Sequence, residues 1–289
     1  MKAAPFEYAR PETVGEAVDV LTEHGEEAKL LAGGQSLVPL LALRFAQPRL
    51  LVDLNGVDEL SGIRALDDGG VAIGAMTRTR ALETDPLVRD RLPLAHEAAP
   101  LIAHRAIRNR GTVGGSLAHA DAAAEMPAVL VALRGTVTAR GPAGVRKLAA
   151  GDLFRGHYTT ALEPDEVLTE VRLPPLGPNT GTAFVEHVRR HGDFAIVGAG
   201  VTLTLEQGRC TDATIAVIGV ADRPFAADAA VAVLVGQDFG EGAAHAAGVG
   251  AAAALTPTSD VHASAAYRKH LTEVLVRRAL LLAARRAVG

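Results

Sequence analysis

Ala32-Gly33-Gly34-Gln35-Ser36 and Thr112-Val113-Gly114-Gly115-Ser116 are built alike: each sets paired glycines beside a small hydroxyl or amide residue, next to a segment that reads as regular structure. Paired glycines remove Cβ atoms and open positive φ, so backbone N–H groups can converge on an anion such as a diphosphate. Ser36, Thr112 and Ser116 add hydroxyl donors. If Leu37 opens a helix, its N-terminal dipole adds to the same field. Either stretch alone also reads as a simple tight turn, because the chain holds 30 glycines. Neither is a Walker loop, since no Lys-Ser/Thr follows, and neither is Gly-x-Gly-x-x-Gly. Together they point to a different geometry, in which two segments clamp one diphosphate from both sides.

Working outward, Thr13 and Glu16 form a capping-box pattern, and Val14, Ala17, Val18 and Leu21 recur at helical spacing until Gly25. The run 29–32 reads as a buried strand, 37–44 as a helix and 50–54 as a second strand, a β-α-β-like order with the first glycine pair at its turn. Farther on, strands are expected at 71–76, 136–139 and 166–173, and helices at 92–104 and 123–133. Pro174-Pro175-Leu176-Gly177-Pro178 is the best linker. Beyond it, 182–188, 195–205 and 214–218 alternate as strands, with a hairpin at Glu206-Gln207-Gly208-Arg209. An alanine-rich helix is expected over 226–255 and an arginine-bearing one over 264–286. This divides the chain into units of residues 1–55, 56–175 and 176–289.

Composition excludes several functions. A net charge of −4 lacks the basic footprint of a nucleic-acid binder. The single cysteine, Cys210, rules out an intramolecular disulfide and cannot hold an iron–sulfur cluster. No apolar stretch reaches the ~18 residues of a membrane span, and the first residues carry no apolar signal core, so a cytoplasmic protein is expected. His119 and Asp121 lack a third ligand at metal spacing, and read as a polar loop. Ser36 and Ser116 lie outside any nucleophile-elbow pattern, so hydrolysis is not expected. Arg105, Arg108 and Arg110 could grip phosphate, dock a partner or be a solvated face.

The opening Pro5-Phe6-Glu7-Tyr8, the run Leu31 to Pro39, the stretch Arg108 to Ser116 continuing to Ala128, and Asp193-Phe194-Ala195 resemble the FAD-binding medium subunit of the molybdenum hydroxylases. That family contains carbon monoxide dehydrogenase, xanthine dehydrogenase and bacterial N-heterocycle dehydrogenases. The resemblance implies an α+β chain with the vanillyl-alcohol-oxidase type of FAD-binding fold: two α/β subdomains, then a C-terminal domain of antiparallel sheet and helices. It implies that Leu30 and Leu31 flank, and Ala32, Gly33, Gly34, Gln35 and Ser36 hold, the FAD pyrophosphate, together with Thr112, Val113, Gly114, Gly115 and Ser116. Glu125 would lie near the ribose, Ile102 and Leu168 would line the pocket, and Asp193 and Phe194 would lie near the flavin ring. Two positions depart from relatives: Gln35 stands where carbon monoxide dehydrogenases carry His, and Ile196 where eukaryotic xanthine enzymes carry Lys.

The implied function is electron transfer inside a complex. A small subunit would carry [2Fe–2S] clusters and a large one a molybdopterin cofactor, as a dimer of heterotrimers, with no catalytic acid, base or nucleophile in this chain. A freestanding FAD-dependent oxidase and a non-redox nucleotide-binding regulatory subunit are the alternatives. On this reading, Gly114→Val abolishes flavin retention and leaves the fold largely intact.

Overall fold

The computed structural model describes residues 2–288. Helix α1 (Val14–His24) follows its capping signal: the Thr13 hydroxyl accepts from Glu16 N–H at 3.1 Å, and Val14, Ala17, Val18 and Leu21 turn inward. That face covers a parallel sheet of order β1-β3-β2, formed by β1 (Glu7–Ala9), β2 (Ala28–Leu31) and β3 (Leu50–Asp53). The first glycine pair and the short helix α2 (Leu37–Ala42) cross over between β2 and β3, as the pattern predicts. Only Leu41 of α2 is buried.

The middle unit is built on a sheet of order β4-β5-β10-β6-β7, antiparallel throughout. Its strands are β4 (Ile63–Ala65), β5 (Val71–Gly74), β6 (Thr136–Gly141), β7 (Gly144–Ala149) and β10 (Val167–Leu173), with a ribbon of β8 (Phe154–Gly156) and β9 (Thr159–Thr160) beside it. Between β5 and β6 run α3 (Thr79–Thr84), α4 (Pro86–Arg91), α5 (Pro93–Ala98), α6 (Arg105–Arg108), α7 (Val113–His119) and α8 (Glu125–Ala132); α9 (Ala150–Leu153) follows β7. The helix expected over 92–104 stops at Ala98, passes into a 3-10 turn over Ala99–Leu101 and ends at Ala103 with φ +46°. Pro100 has no N–H to continue the ladder. β7 escapes the alternation test because only Leu148 of its six residues is buried.

The last unit is an antiparallel sheet of order β11-β12-β13-β14: β11 (Thr180–His187), β12 (Val197–Glu206), β13 (Arg209–Ile218) and β14 (Phe225–Ala226). Gln207 (φ +51°) and Gly208 (φ +83°) supply the left-handed pair that a tight hairpin requires. The expected alanine-rich helix is two, α10 (Asp228–Ala232) and α11 (Glu241–Ala253), because Gly236 at φ +82° and Gly240 interrupt it. With α12 (Ala265–Ala287) they bury one face of this sheet. Its other face packs on the middle unit: Phe184, Ala216 and Ile218 share a core with Leu130 and Leu94, and the Thr214 hydroxyl donates to the Ala132 carbonyl at 2.5 Å. Arg286 closes this seam, donating to Glu97 of α5 and to the Thr182 carbonyl of β11.

Candidate functional site: two glycine turns in contact

The two glycine stretches, about eighty residues apart in sequence, touch. Gly33 is buried, and a Cβ there would overlap the Arg110 carbonyl oxygen and lie 2.7 Å from Gly111 Cα. A Cβ on Gly115 would lie 3.3 Å from Ala32 Cβ. So glycine at 33 serves close approach of two backbones. Gly34 alone of the four adopts positive φ, at +72°. Leu31 leans on Gly34, while Leu30 packs against the N-terminal core.

The two turns differ in what they offer. Among the described residues no acceptor takes a hydrogen bond from the N–H of Gly34, Gln35 or Ser36, and the Ser36 hydroxyl caps nothing. The Gln35 side chain folds back onto the Gly33 carbonyl at 3.0 Å. In the second stretch, Gly114 and Gly115 form the first turn of α7, without positive φ. Their amides are committed: Val113 N–H donates to Thr77 O (3.0 Å), Gly114 to Ala75 O (2.8 Å), Gly115 to Thr112 Oγ1 (3.1 Å) and Ser116 to Thr112 O (3.1 Å). The symmetric clamp of amides is therefore corrected. The first turn presents free donors; the second is a packed wall, whose Thr112 hydroxyl is spent as a helix cap and whose Ser116 hydroxyl has no partner among the described residues. Gly114 is set by packing too, since a Cβ there would come 2.5 Å from Ala75 Cβ and 2.8 Å from its Cα.

A polar network locks this junction. Arg78 donates to the Arg110 carbonyl at 2.7 Å and to Asn55 Oδ1 at 2.6 Å. Asn55 Nδ2 donates to the Ala32 carbonyl at 3.0 Å and also to Asp53, which receives the Tyr8 hydroxyl at 2.5 Å. Asp53 loses solvent, but the hydrogen bonds from Tyr8 and Asn55 outweigh that and hold its carboxyl below the usual range. Sequence reading missed these residues. Asn55 follows a predicted strand, which is a weak signal, and nothing in the sequence marks Arg78.

The other expected residues fall in three places. Glu125 opens α8, is 3% exposed, and burial pushes its carboxyl up to about 7. Ile102 is half-buried at the end of the 3-10 turn, held by Arg108, which donates to the Ile102 and Ala103 carbonyls. Arg108 is itself buried against Glu83 at 2.6 Å, so it is a structural member of the basic cluster, while Arg105 and Arg110 are exposed. Asp193 and Phe194 are exposed on the turn after β11, Phe194 by 59%. That turn leans on the segment holding Ile102: Gly192, at φ +88°, would place a Cβ 2.7 Å from His104 Nδ1. Leu168 is 5% exposed, in the core of the middle unit. It backs the strand end against which Gly114 packs, Ala75 N–H donating to Thr169 O at 2.9 Å. His119 stacks on Tyr158 with ring centres 5.0 Å apart, and burial lowers its pKa; no metal-holding group occurs among the described residues.

Two family models match in sequence order: the FAD binding domain in molybdopterin dehydrogenase over residues 4–176, and the CO dehydrogenase flavoprotein C-terminal domain over residues 182–283. The chain is 44% identical over 288 residues to the 6-hydroxypseudooxynicotine dehydrogenase complex subunit alpha of Paenarthrobacter nicotinovorans, covering 99% of this chain and 97% of that one. It is 40% identical over 275 residues to the carbon monoxide dehydrogenase medium chain of Hydrogenophaga pseudoflava, covering 95% and 96%. Among solved structures, a chain of that organism's carbon monoxide dehydrogenase superposes with a TM-score of 0.97 at 42% identity, over 99% of each chain. A chain of quinoline 2-oxidoreductase from Pseudomonas putida 86 gives 0.95 at 41%, over 100% of each. With nearly its whole length matched in sequence and in fold, the chain belongs to the FAD-binding medium subunits of the molybdenum hydroxylases.

Proposed function

We propose that the chain seats FAD with its pyrophosphate on the free amides of Gly34, Gln35 and Ser36, against the wall formed by Thr112 to Ser116, and serves as the electron-transfer subunit of a larger cytoplasmic oxidoreductase. The observation that carries this reading is the donor set: three unclaimed N–H groups and a free Ser36 hydroxyl, on a turn with no Cβ at 33 or 34. A row of open, half-buried amides on a turn this well anchored suits an anion that crosses it. The residues present therefore fit a dinucleotide's central bridge. The Arg78–Asn55–Asp53 network holds the turn in place before any ligand arrives, which lowers the ordering cost of binding.

Farther along, Ile102, Asp193 and Phe194 would border the flavin end, where the exposed Phe194 ring can cover a planar group. Glu125 and Leu168 would back the stretch between the two ends. Bound FAD supplies the redox chemistry, storing two electrons that can arrive singly and leave as a pair. The sole cysteine, Cys210, is buried and unpaired, so [2Fe–2S] clusters belong to a small partner subunit, and a molybdopterin cofactor to a large one, assembled as a dimer of heterotrimers. The test is to purify the chain alone and beside its co-encoded neighbours. Flavin absorbance in the isolated chain and co-purification with iron- and molybdenum-bearing subunits support the reading. A chain without flavin affinity refutes the seat, and a flavin-loaded chain that oxidises substrate unaided refutes the complex.

A further inference from the structure

Two segments far apart in sequence close on each other near the glycine junction. The turn after β11 is tight: Asp193 N–H donates to the Arg190 carbonyl at 3.0 Å, and Gly192 takes φ +88°. It rests on the residues that lead into α6. The rings of His104 and His191 lie 5.9 Å apart, and a Cβ on Gly192 would fall 2.7 Å from His104 Nδ1. The His104 carbonyl in turn accepts from the N–H groups of Ile107 (2.8 Å) and Arg108 (3.1 Å), and the chain runs on to Arg110, whose carbonyl abuts Gly33. On the order of 10 Å of helical chain thus joins this contact to the glycine junction.

The charge gathered there is lopsided. Residues 102–110 and 187–194 hold five arginines and one acid, Asp193. Arg105, Arg189 and Arg190 are exposed, and among the described residues none of them pairs with a carboxylate; Glu83, which faces α6, is taken by Arg80 and Arg108. This stands against the chain as a whole, whose net charge is −4. Phe194 is the one large apolar side chain exposed in the two segments. A protein interface needs an apolar centre inside its polar rim, and one ring does not make one. Unpaired guanidinium groups instead suit a small anion, since each can present two parallel N–H donors to a phosphate or carboxylate.

We propose that Arg105, Arg189 and Arg190 form a docking face for a small anionic electron acceptor, one that carries phosphate or carboxylate groups and reoxidises the flavin. The proposal rests on the FAD reading above. In the step served, reduced FAD gives up two electrons. A two-electron acceptor takes both, or two one-electron acceptors take one each, and the flavin's protons pass to the acceptor or to solvent. The arginines act on encounter: a local positive field draws the anion to this face although the whole chain repels it, and the effect fades with salt. Gly192 and His104 hold the turn against α6, so that the two arginines of the turn and Arg105 belong to one surface.

The test uses two probes of opposite charge. The FAD-loaded chain is reduced with one equivalent of dithionite and mixed rapidly with ferricyanide, a trivalent anion, or hexaammineruthenium(III), a trivalent cation; each ion takes one electron, so two reoxidise one flavin. With wild type, the ferricyanide rate should fall about tenfold between roughly 0.01 and 0.3 M salt, and the ruthenium rate should rise. At low salt Arg105→Glu and Arg190→Glu should each slow ferricyanide about fivefold and speed the ruthenium ion, while Arg190→Lys keeps the wild-type rates. Arg209→Glu, in the hairpin at the far end of the same sheet, should stay within about twofold. Rates that follow the net charge, with ferricyanide faster at high salt, overturn the proposal, as do rates that ignore both substitutions. Unchanged reoxidation together with loss of a co-purifying iron-bearing subunit also overturns it, and makes the face a protein contact. A chain that takes up no FAD shows no flavin absorbance at the outset, and it is then the FAD reading that fails.

Discussion

Replacing Gly33 by alanine adds one methyl group at the point where the two glycine stretches touch. The new Cβ would overlap the Arg110 carbonyl oxygen and lie 2.7 Å from Gly111 Cα and 2.9 Å from Arg110 C. All three atoms are backbone, so no rotamer change relieves the clash, and the segments must separate by about 1 Å. Overpacking of this kind costs about 1–3 kcal/mol. Separation also strains the Arg78–Arg110 hydrogen bond, whose donor is charged but partly solvated, worth about 1 kcal/mol more. A total of about 2–4 kcal/mol, expressed where the pyrophosphate would sit, corresponds to roughly 30- to 700-fold weaker FAD binding. The assay is titration of flavin-free protein with FAD, followed by flavin fluorescence. Gly151→Ala is the control, because nothing lies within 4 Å of the added atom. Binding by Gly33→Ala within threefold of wild type would show that the junction does not shape the seat, and the argument would fail.

Arg78→Ala should weaken FAD binding by about tenfold while moving the melting temperature little, because its partners lie near the surface and remain open to water; a large stability loss without an affinity change would contradict this. Gly114→Val should unfold the middle unit rather than merely empty the seat, by 3 kcal/mol or so, since Ala75 backbone blocks the side chain. Denaturant melts of the flavin-free protein decide this, and a wild-type midpoint would refute it. Arg268→Ala should cost about 3 kcal/mol, because the Ile196 and Gly219 carbonyls lose a charged donor held at 2.6 Å. A loss under 1 kcal/mol in the same melts would mean that water replaces it freely.

What the sequence could reveal was local. The crossover around Gly33 and Gly34 was legible because a strand, a glycine break, a helix and a strand leave periodic marks. So was the Gln207-Gly208 hairpin, whose residues suit its dihedral angles. The two glycine pairs do come into contact, yet on a different physical basis from the one expected. Glycine at 33 and 114 is demanded by neighbours distant in sequence, and a neighbour's carbonyl leaves no trace in local pattern. For the same reason the amides of 113–116 could not be known to be committed, since their acceptors are Thr77 and Ala75 as well as Thr112. Arg78 and Asn55 were invisible because each acquires meaning only from a partner on another element. The resemblance to relatives, not periodicity, is what pointed to Glu125.

The Arg286 guanidinium reaches Glu97 across 189 positions of chain. During synthesis the middle unit emerges long before residue 286, so for many seconds α5 waits without the fork that will fasten it. Closure of the seam thus waits until the end of α12 has cleared the ribosome. The last turn of α12, rather than anything in the middle unit, therefore sets when the two units can be fastened together.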